Sequence, residues 1–503
     1  MANHDFSVPP QQAQDPIVLA MDVGSTGTRG CLYDATGRSL QKRRDKILHT
    51  FTALADGTST IDADQVVEEI IEIIDRLVVD DVASRIKGVA LDTFAASLVG
   101  VDGEGRAITP CLTYADSRSA GEVDTLRAEV DEAEVQRRTG ARLHTSHLPA
   151  MLRWWRSAHP DVFGRVAKWM SLGEYVWLRL LGDTAAGTST AAWAGLLDRH
   201  TGEWDAKMLE ISGITVDQLS RIADPDEPLY PVSNLVPRRW PTLAHVPWFA
   251  VIPDGFASSV GAGAEGAASP VVSFSTSGAM RVIVDGAPGD VPTGLWCYRL
   301  DRGRSIVGGA LNDVGRMVTW MENAFRLPDY ERRAQVLLSE PKEATPLVLP
   351  FLTGERATGW AGNARMVLRD LNYSEGPEEL YRGCLEGVAL CYVRLAQEVI
   401  KVSGTPKVLR ASGRVSNNIP ALLQIVADAT GYPVEPVDIK RSTMHGTALY
   451  ALATVAPDVP AAEVPLSEVK YPVAGRAEYY AERLRRFEDL YEATITSRIG
   501  AAG

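Results

Sequence analysis

Ile17-Val18-Leu19-Ala20-Met21-Asp22-Val23-Gly24-Ser25-Thr26-Gly27-Thr28-Arg29 is the stretch on which the fold turns. An apolar strand, Ile17–Met21, runs into a carboxylate, two glycines and three hydroxyls, and a second strand follows at Gly30–Tyr33. Glycine lets backbone N–H groups close on an anion, and hydroxyls add donors. A neighbouring carboxylate suits the hydrated metal ion that travels with polyphosphate. The stretch therefore reads as a phosphate-binding hairpin. It lacks the Gly-Lys-Ser/Thr ending of a strand–loop–helix phosphate loop and the Gly-x-Gly-x-x-Gly of a dinucleotide turn. Ser/Thr/Gly hairpins that bind nothing are common, so the rest of the chain must decide.

A second copy of the pattern lies at Val271–Val284, where a strand, a Ser275-Thr276-Ser277-Gly278 turn and another strand recur. Two halves that each open on a donor-rich hairpin suggest a duplicated architecture clasping one polyphosphate from both sides. Between the hairpins, strand-like runs (Ile86–Leu91, Leu98–Val101, Trp248–Ile252) alternate with helical patterns at Val66–Val79, Ala150–Ala158 and Lys168–Leu181. The second half continues with strands at Leu347–Leu352 and Lys407–Ala411 and helices at Glu378–Val402 and Ile419–Thr430. A charged helix is expected at Ala477–Arg498. This alternation predicts an α/β class with helices on both faces of mixed sheets.

The 503 residues supply two or three domains, and 45% hydrophobic with 23% charged residues is ordinary for a globular protein. A net charge of −13 argues against nucleic acid or an anionic membrane as partner. Five cysteines without a CxxC read as core thiols of a reducing compartment. His144 and His147 form the one close histidine pair, without a third ligand nearby, and read as structural. The polar first fifteen residues carry no signal core, so a disordered tail over residues 1–15 and a cytoplasmic location are expected.

Asp254 follows the strand Trp248–Ile252 and precedes the small-residue run Gly255–Ala264. A carboxylate at a strand's carboxyl end can take the proton of a hydroxyl that accepts a phosphoryl group, or it can simply cap a helix. Ser412-Gly413-Arg414-Val415-Ser416-Asn417 lets a flat base approach the backbone, with the Asn417 amide available to its edge, or is a plain connection. Asp116 and Arg118, and the Leu91-Asp92-Thr93-Phe94 turn, also follow strand-like runs. The charged pair could bind hydroxyls or be exposed loop charges.

In this order the stretches Asp22–Arg29, Tyr114–Arg118, Asp254, Ser273–Arg281, Gly308–Asp313, Pro350–Arg356 and Ser412–Asn418 resemble the FGGY family of carbohydrate kinases. The resemblance implies two actin-like (ribonuclease H-like) ATPase domains around a central cleft. Residues 16–260 would form the N-terminal, sugar-binding domain and residues 261–503 the nucleotide-binding one. It also implies ATP and Mg²⁺ as cofactors, with Asp254 as catalytic base and Asp22 at the metal. Ser25, Thr26, Gly27, Thr28, Arg29, Thr276 and Ser277 would hold phosphates, and Gly309, Asp313, Gly413 and Asn417 would line the nucleotide site. Thr93, Phe94, Asp116, Arg118 and Asp254 would face a sugar. A homodimer is the assembly the resemblance implies.

Ala115-Asp116-Ser117-Arg118, Pro253-Asp254-Gly255 and Thr276-Ser277-Gly278-Ala279-Met280-Arg281 are most similar to gluconokinase-like members. The expected substrate is a small sugar or sugar acid phosphorylated on a terminal hydroxyl. Two departures stand out: Phe94-Ala95-Ala96-Ser97 lacks the family's histidine, and Met151 stands where a lysine is usual. Both place the acceptor's identity around Ala95, Ala96 and Met151. A xylulokinase-like ketopentose or polyol kinase is the competing enzyme, and an actin-like ATPase switch or an inactive kinase-like regulator the competing class.

Overall fold

The computed structural model describes residues 6–79, 81–264 and 266–497. Its first sheet contains β1 (Ser7–Val8), β2 (Ile17–Gly24), β3 (Gly27–Tyr33), β4 (Ser39–Ile47), β5 (Ile86–Thr93) and β6 (Ile252–Pro253), in the order β1-β4-β3-β2-β5-β6. β2, β3 and β4 form an antiparallel meander, and β5 and β6 add in parallel to β2. β2 is buried from Ile17 to Val23, as a strand covered on both faces must be. Its covers are α1 (Ala63–Leu77), which lies over β3 and β4 with Ile70, Ile73 and Ile74 buried, and a helix described below.

After α2 (Asp254–Gly261) the same plan repeats. β7 (Val271–Phe274), β8 (Gly278–Asp285), β9 (Trp296–Arg299), β10 (Arg304–Leu311), β11 (Leu409–Ser412) and β12 (Val434–Pro436) form a sheet ordered β9-β10-β8-β7-β11-β12. β7 and β8 correspond to β2 and β3, and β11 and β12 again add in parallel. The duplication expected from the two hairpins is thus a repeat of topology, not only of composition. The 27-residue α3 (Pro377–Ser403), almost wholly buried along its middle, packs against β8 and β10 and supplies much of the second core.

The helix α4 (Ser442–Val455) returns from the second half to lie on β2 and β5, opposite α1. Met444 and Ala448 pack there on Ala20, Cys31 and Tyr33. α4 crosses α2 at glycine contacts. A Cβ on Gly446 would sit 1.8 Å from the Ala257 carbonyl oxygen, and one on Gly261 the same distance from that of Ser442. A helix from beyond residue 261 thus covers one face of the first sheet.

Several expectations change. The tail is structured from Phe6 onward: Ser7–Val8 pairs with β4 and Pro10–Gln12 forms a 3₁₀ turn, while residues 1–5 lie outside the described chain. Lys168–Leu181 is a strand, Lys168–Met170, followed by a helix, Leu172–Leu181. Ser171 and Glu174 form a capping box that starts the helix, a signal hidden in an all-apolar context. Trp248–Ile252 is not one continuous strand: Trp248 makes a single bridge to Val89 of β5, and the regular strand is Ile252–Pro253. The last helix runs Ala477–Tyr491 and widens to a π turn at Glu492–Thr496, with Arg498 outside the described residues. All five cysteines are buried thiols, and among the described residues no helix is long and apolar enough to cross a membrane.

Candidate active site

The first hairpin turns through Ser25 and Thr26, with Gly24 paired to Gly27. Gly27 has φ 148°, and a Cβ there would fall 2.4 Å from the Ile47 carbonyl oxygen, so only glycine closes this turn against β4. Behind it His49 is clamped, with Nδ1 2.8 Å from Glu69 Oε2 and Nε2 2.8 Å from the Gly24 carbonyl oxygen. Both neighbours can only accept, so both ring nitrogens carry protons and His49 is an imidazolium. Burial alone would push its pKa down, but the bonds to Glu69 and Gly24 outweigh it and hold the pKa above the ordinary value. The same Glu69 oxygen accepts from the Thr28 hydroxyl at 2.6 Å. This buried triad fixes the hairpin from beneath.

A pH dependence follows. A raised histidine pKa means that the clamp is present at low pH and lost as pH rises through that value. ADP affinity, measured by titration calorimetry, is expected to weaken several-fold as pH climbs past about 6.5. His49→Gln should flatten this dependence at the weak end. A variant that still tightened on acidification would assign the effect to another titrating group.

The second hairpin, Ser275–Ser277, is a partition between two cavities. On one side Ser275 and Thr276 join Arg414, Asn417, Tyr330 and Tyr381 around a cavity of about 680 Å³. On the other, Ser277 joins Asp254, Arg281, Tyr114 and Arg356 around one of about 280 Å³, lined by residues from both sheets' segments. Gly413, at φ 110°, abuts the partition: a Cβ would meet the Phe274 carbonyl oxygen at 2.4 Å.

Asp254 opens α2 without capping it. Burial, then the charge of Asp22, pushes its pKa up to about 6, with Arg281 opposing. Asp22 is buried and held 2.9 Å from Arg29, yet burial still raises its pKa. Asp92, between these two, is held well above the carboxylate range by burial and then by the Asp22 charge. Its Oδ2 accepts from Thr447 of α4 at 2.5 Å, while its Oδ1 has no donor among the described residues. Three carboxylates thus converge at the ends of β2, β5 and β6, short of positive charge.

The remaining expected residues divide. Thr93 is the buried last residue of β5, and Phe94 is buried against Phe51 and Tyr114. Asp116 accepts from the Ser59 amide at 2.9 Å and from Arg118 at 2.7 Å, and Arg118 lies 4.2 Å over the Trp154 ring. None of these four lines the smaller cavity; they anchor the loop that presents Tyr114. Gly309 packs inside the second sheet, where a Cβ would meet Ala357 at 2.5 Å. Asp313 accepts from the Thr353 amide and hydroxyl at 2.8 and 2.9 Å, tying down the 350–356 loop, and neither lines the larger cavity. Ala95 and Ala96 do line the smaller cavity, but Met151 is buried in a hydrophobic cluster behind it.

Other wall residues were not expected. Trp296 stacks on Tyr298 at 4.9 Å between centroids and Trp193 lies tilted against it at 4.4 Å, giving the cavity an aromatic side. His144 and His147 also line it, so a pair that reads as structural stands where the Ala95–Ala96 wall lacks a histidine. Burial holds both neutral, with pKa values pushed down to about 3 and 4. Trp296 and Tyr298 alternate along β9, the one signal that could have placed both on one face.

Paired sheets of repeated topology, each opening on a hairpin at a shared cleft, are those of the actin-like, ribonuclease H-like ATPase fold. Residues 17–261 match the N-terminal domain of the FGGY family of carbohydrate kinases and residues 284–455 its C-terminal domain. The chain belongs to that family: it is a carbohydrate kinase, and its family is ATP-dependent. It is 26% identical over 383 residues to the gluconokinase of Bacillus subtilis (strain 168), covering 74% of each chain. It is 25% identical to the xylulose kinase of Escherichia coli (strain K12), over 81% of this chain and 84% of that one. Its fold matches a solved gluconate kinase from Lactobacillus acidophilus at TM-score 0.86 and 24% identity, covering 95% and 98% of the two chains. A xylulose kinase from Rhodospirillum rubrum matches at 0.87 and 21%, with the same coverage.

Proposed function

We propose that the protein transfers the γ-phosphoryl group of ATP to a terminal hydroxyl of a sugar acid. The observation that carries this is the partition. A hairpin of phosphate-binding composition separates a base-sized cavity from a small polar one whose single carboxylate, Asp254, has a pKa near neutrality. A phosphate chain reaching past Ser275–Ser277 would bring its terminal phosphorus to Asp254. The acceptor hydroxyl hydrogen-bonds to the Asp254 carboxylate, which takes its proton as the oxygen attacks phosphorus and the bond to the β–γ bridging oxygen breaks. Backbone N–H groups and hydroxyls of both hairpins hold the phosphates, and Arg281 offsets charge beside the transferred group. Closing the cleft would exclude water, which would otherwise compete as acceptor.

The residues fit a divalent ion. Mg²⁺ binds through one or two carboxylates plus phosphates and waters, and Asp22 beside the orphaned Asp92 oxygen supplies that incomplete set. When bound it would neutralise phosphate charge.

Sugar acid is favoured over neutral sugar by the two arginines, Arg281 and Arg356, that line a cavity holding one acid, and by the likeness to gluconokinase. ADP release measured across aldonates, ketopentoses and polyols tests the proposal. Turnover confined to ketopentoses would install the xylulokinase-like reading instead. No stimulation by any acceptor would sink both.

A further inference from the structure

We propose that Arg356 is the residue that reads the acceptor's carboxylate, so that the sugar acid lies with its acid end at Arg356 and its terminal hydroxyl at Asp254. This inference rests on the sugar-acid reading above. Buried arginines elsewhere in the protein donate to carboxylate or carbonyl oxygens: Arg394 to Glu355 and Glu488, Arg476 to Asp428, Arg483 to the carbonyls of Thr345 and Pro346. The Arg356 guanidinium, half-buried in the cavity wall, makes no hydrogen bond or ion pair with any described residue. Withdrawing a guanidinium from water without an anion is costly, so the missing partner is a ligand group.

The loop that carries Arg356 is fixed. Glu355 turns away from the cavity to Arg394, at 2.8 Å, and to the Tyr491 hydroxyl. Its amide donates to the Ala361 carbonyl at 2.9 Å, and the Trp360 amide donates to the Arg356 carbonyl at 2.6 Å. Trp360 is held in turn by its Nε1 on the Gly294 carbonyl at 2.9 Å. The backbone that carries the fork is therefore held in place before a ligand arrives.

The cavity also has direction. Arg281 faces Asp254, whereas Arg356 faces Tyr298 and Tyr114. At the Arg356 end one neutral group is left to donate. His144 Nδ1 accepts from the Ser146 amide at 3.1 Å, which puts its proton on Nε2. His147 Nδ1 donates to the Arg142 carbonyl at 2.7 Å, so its Nε2 accepts from the Tyr298 hydroxyl at 3.2 Å. An anion at this end meets a bidentate cation beside the His144 Nε2–H, and a neutral polyol leaves the cation unpaired.

The test compares C5–C7 aldonates with the matching alditols as acceptors for the wild-type enzyme, Arg356→Gln and Arg356→Lys. Thermal melting confirms that both variants fold. The wild type is expected to prefer the aldonate. In Arg356→Gln the ratio of kcat/KM for aldonate over alditol should fall on the order of 100-fold, with the loss in the aldonate KM. Arg356→Lys, which keeps the charge but not the fork, should recover part of it. An equal fall for both acceptors, or a raised KM for ATP with the ratio unmoved, overturns the assignment and puts Arg356 on the phosphates. A wild type that prefers alditols removes the sugar-acid reading itself, an outcome visible before any variant is made.

Discussion

Asp254→Asn is expected to abolish most turnover and to make the protein more stable. Loss of a general base costs about a thousandfold in kcat, within the usual range for such a group. The stability gain comes from the same environment that tunes the base. A carboxyl raised from 3.8 to about 6 is bound to its proton more tightly in the folded chain than in the unfolded one. Stability conferred by that group is therefore full below pH 3.8, falls as pH rises through the window to 6, and is lowest above it. Asparagine resembles the protonated form at every pH. The variant should therefore gain about 3 kcal/mol at pH 7.5 and almost nothing at pH 4. Urea melts at the two pH values read this difference, and the wild-type kcat/KM should decline about tenfold per pH unit below 6. A variant with near-wild-type kcat would end the assignment, and equal melts at pH 7.5 would end the account of its pKa.

Gly446→Ala is expected to be strongly destabilising. The added carbon would stand 1.8 Å from the Ala257 carbonyl oxygen and 2.7 Å from the Gly261 amide nitrogen, so α2 and α4 would have to part. Both sides of this contact are backbone, and no rotamer change relieves it. The expected cost is roughly 3 kcal/mol or more. Displacing α4 also draws Thr447 away from Asp92, so activity should fall more than the folded fraction does. Gly121→Ala is the control: it is helical, meets nothing within 4 Å, and should stabilise by about 0.5–1 kcal/mol. Chemical denaturation of the two variants checks both signs, and a Gly446→Ala protein as stable as the wild type would refute the crossing's rigidity.

The hairpins, the repeat and Asp254 were legible because each is a local signal: glycines and hydroxyls between apolar runs, and a carboxylate after a strand. The smaller cavity was not, because its walls come from distant segments. Glu355 and Arg356 are sequence neighbours of opposite charge, yet the fold sends one to Arg394 and leaves the other at the cavity wall. Asp116 and Arg118 invert this, since they read as sugar ligands and satisfy each other. Met151 occupies a motif position but points into a core, so its difference from lysine has no direct bearing on the cavity wall. His144 shows the same limit from the other side, as its place at the Ala95–Ala96 wall is set by tertiary packing alone.

The return of α4 to the first sheet has a consequence for synthesis. While the ribosome is still making the second half, the first sheet has α1 on one side and nothing from α4 on the other. Ala20, Cys31 and Tyr33 wait for Met444 and Ala448, encoded more than four hundred codons later. A nascent chain halted before residue 442 would expose that strip and be prone to aggregate. The order of translation thus leaves the oldest sheet in the chain among the last to be covered.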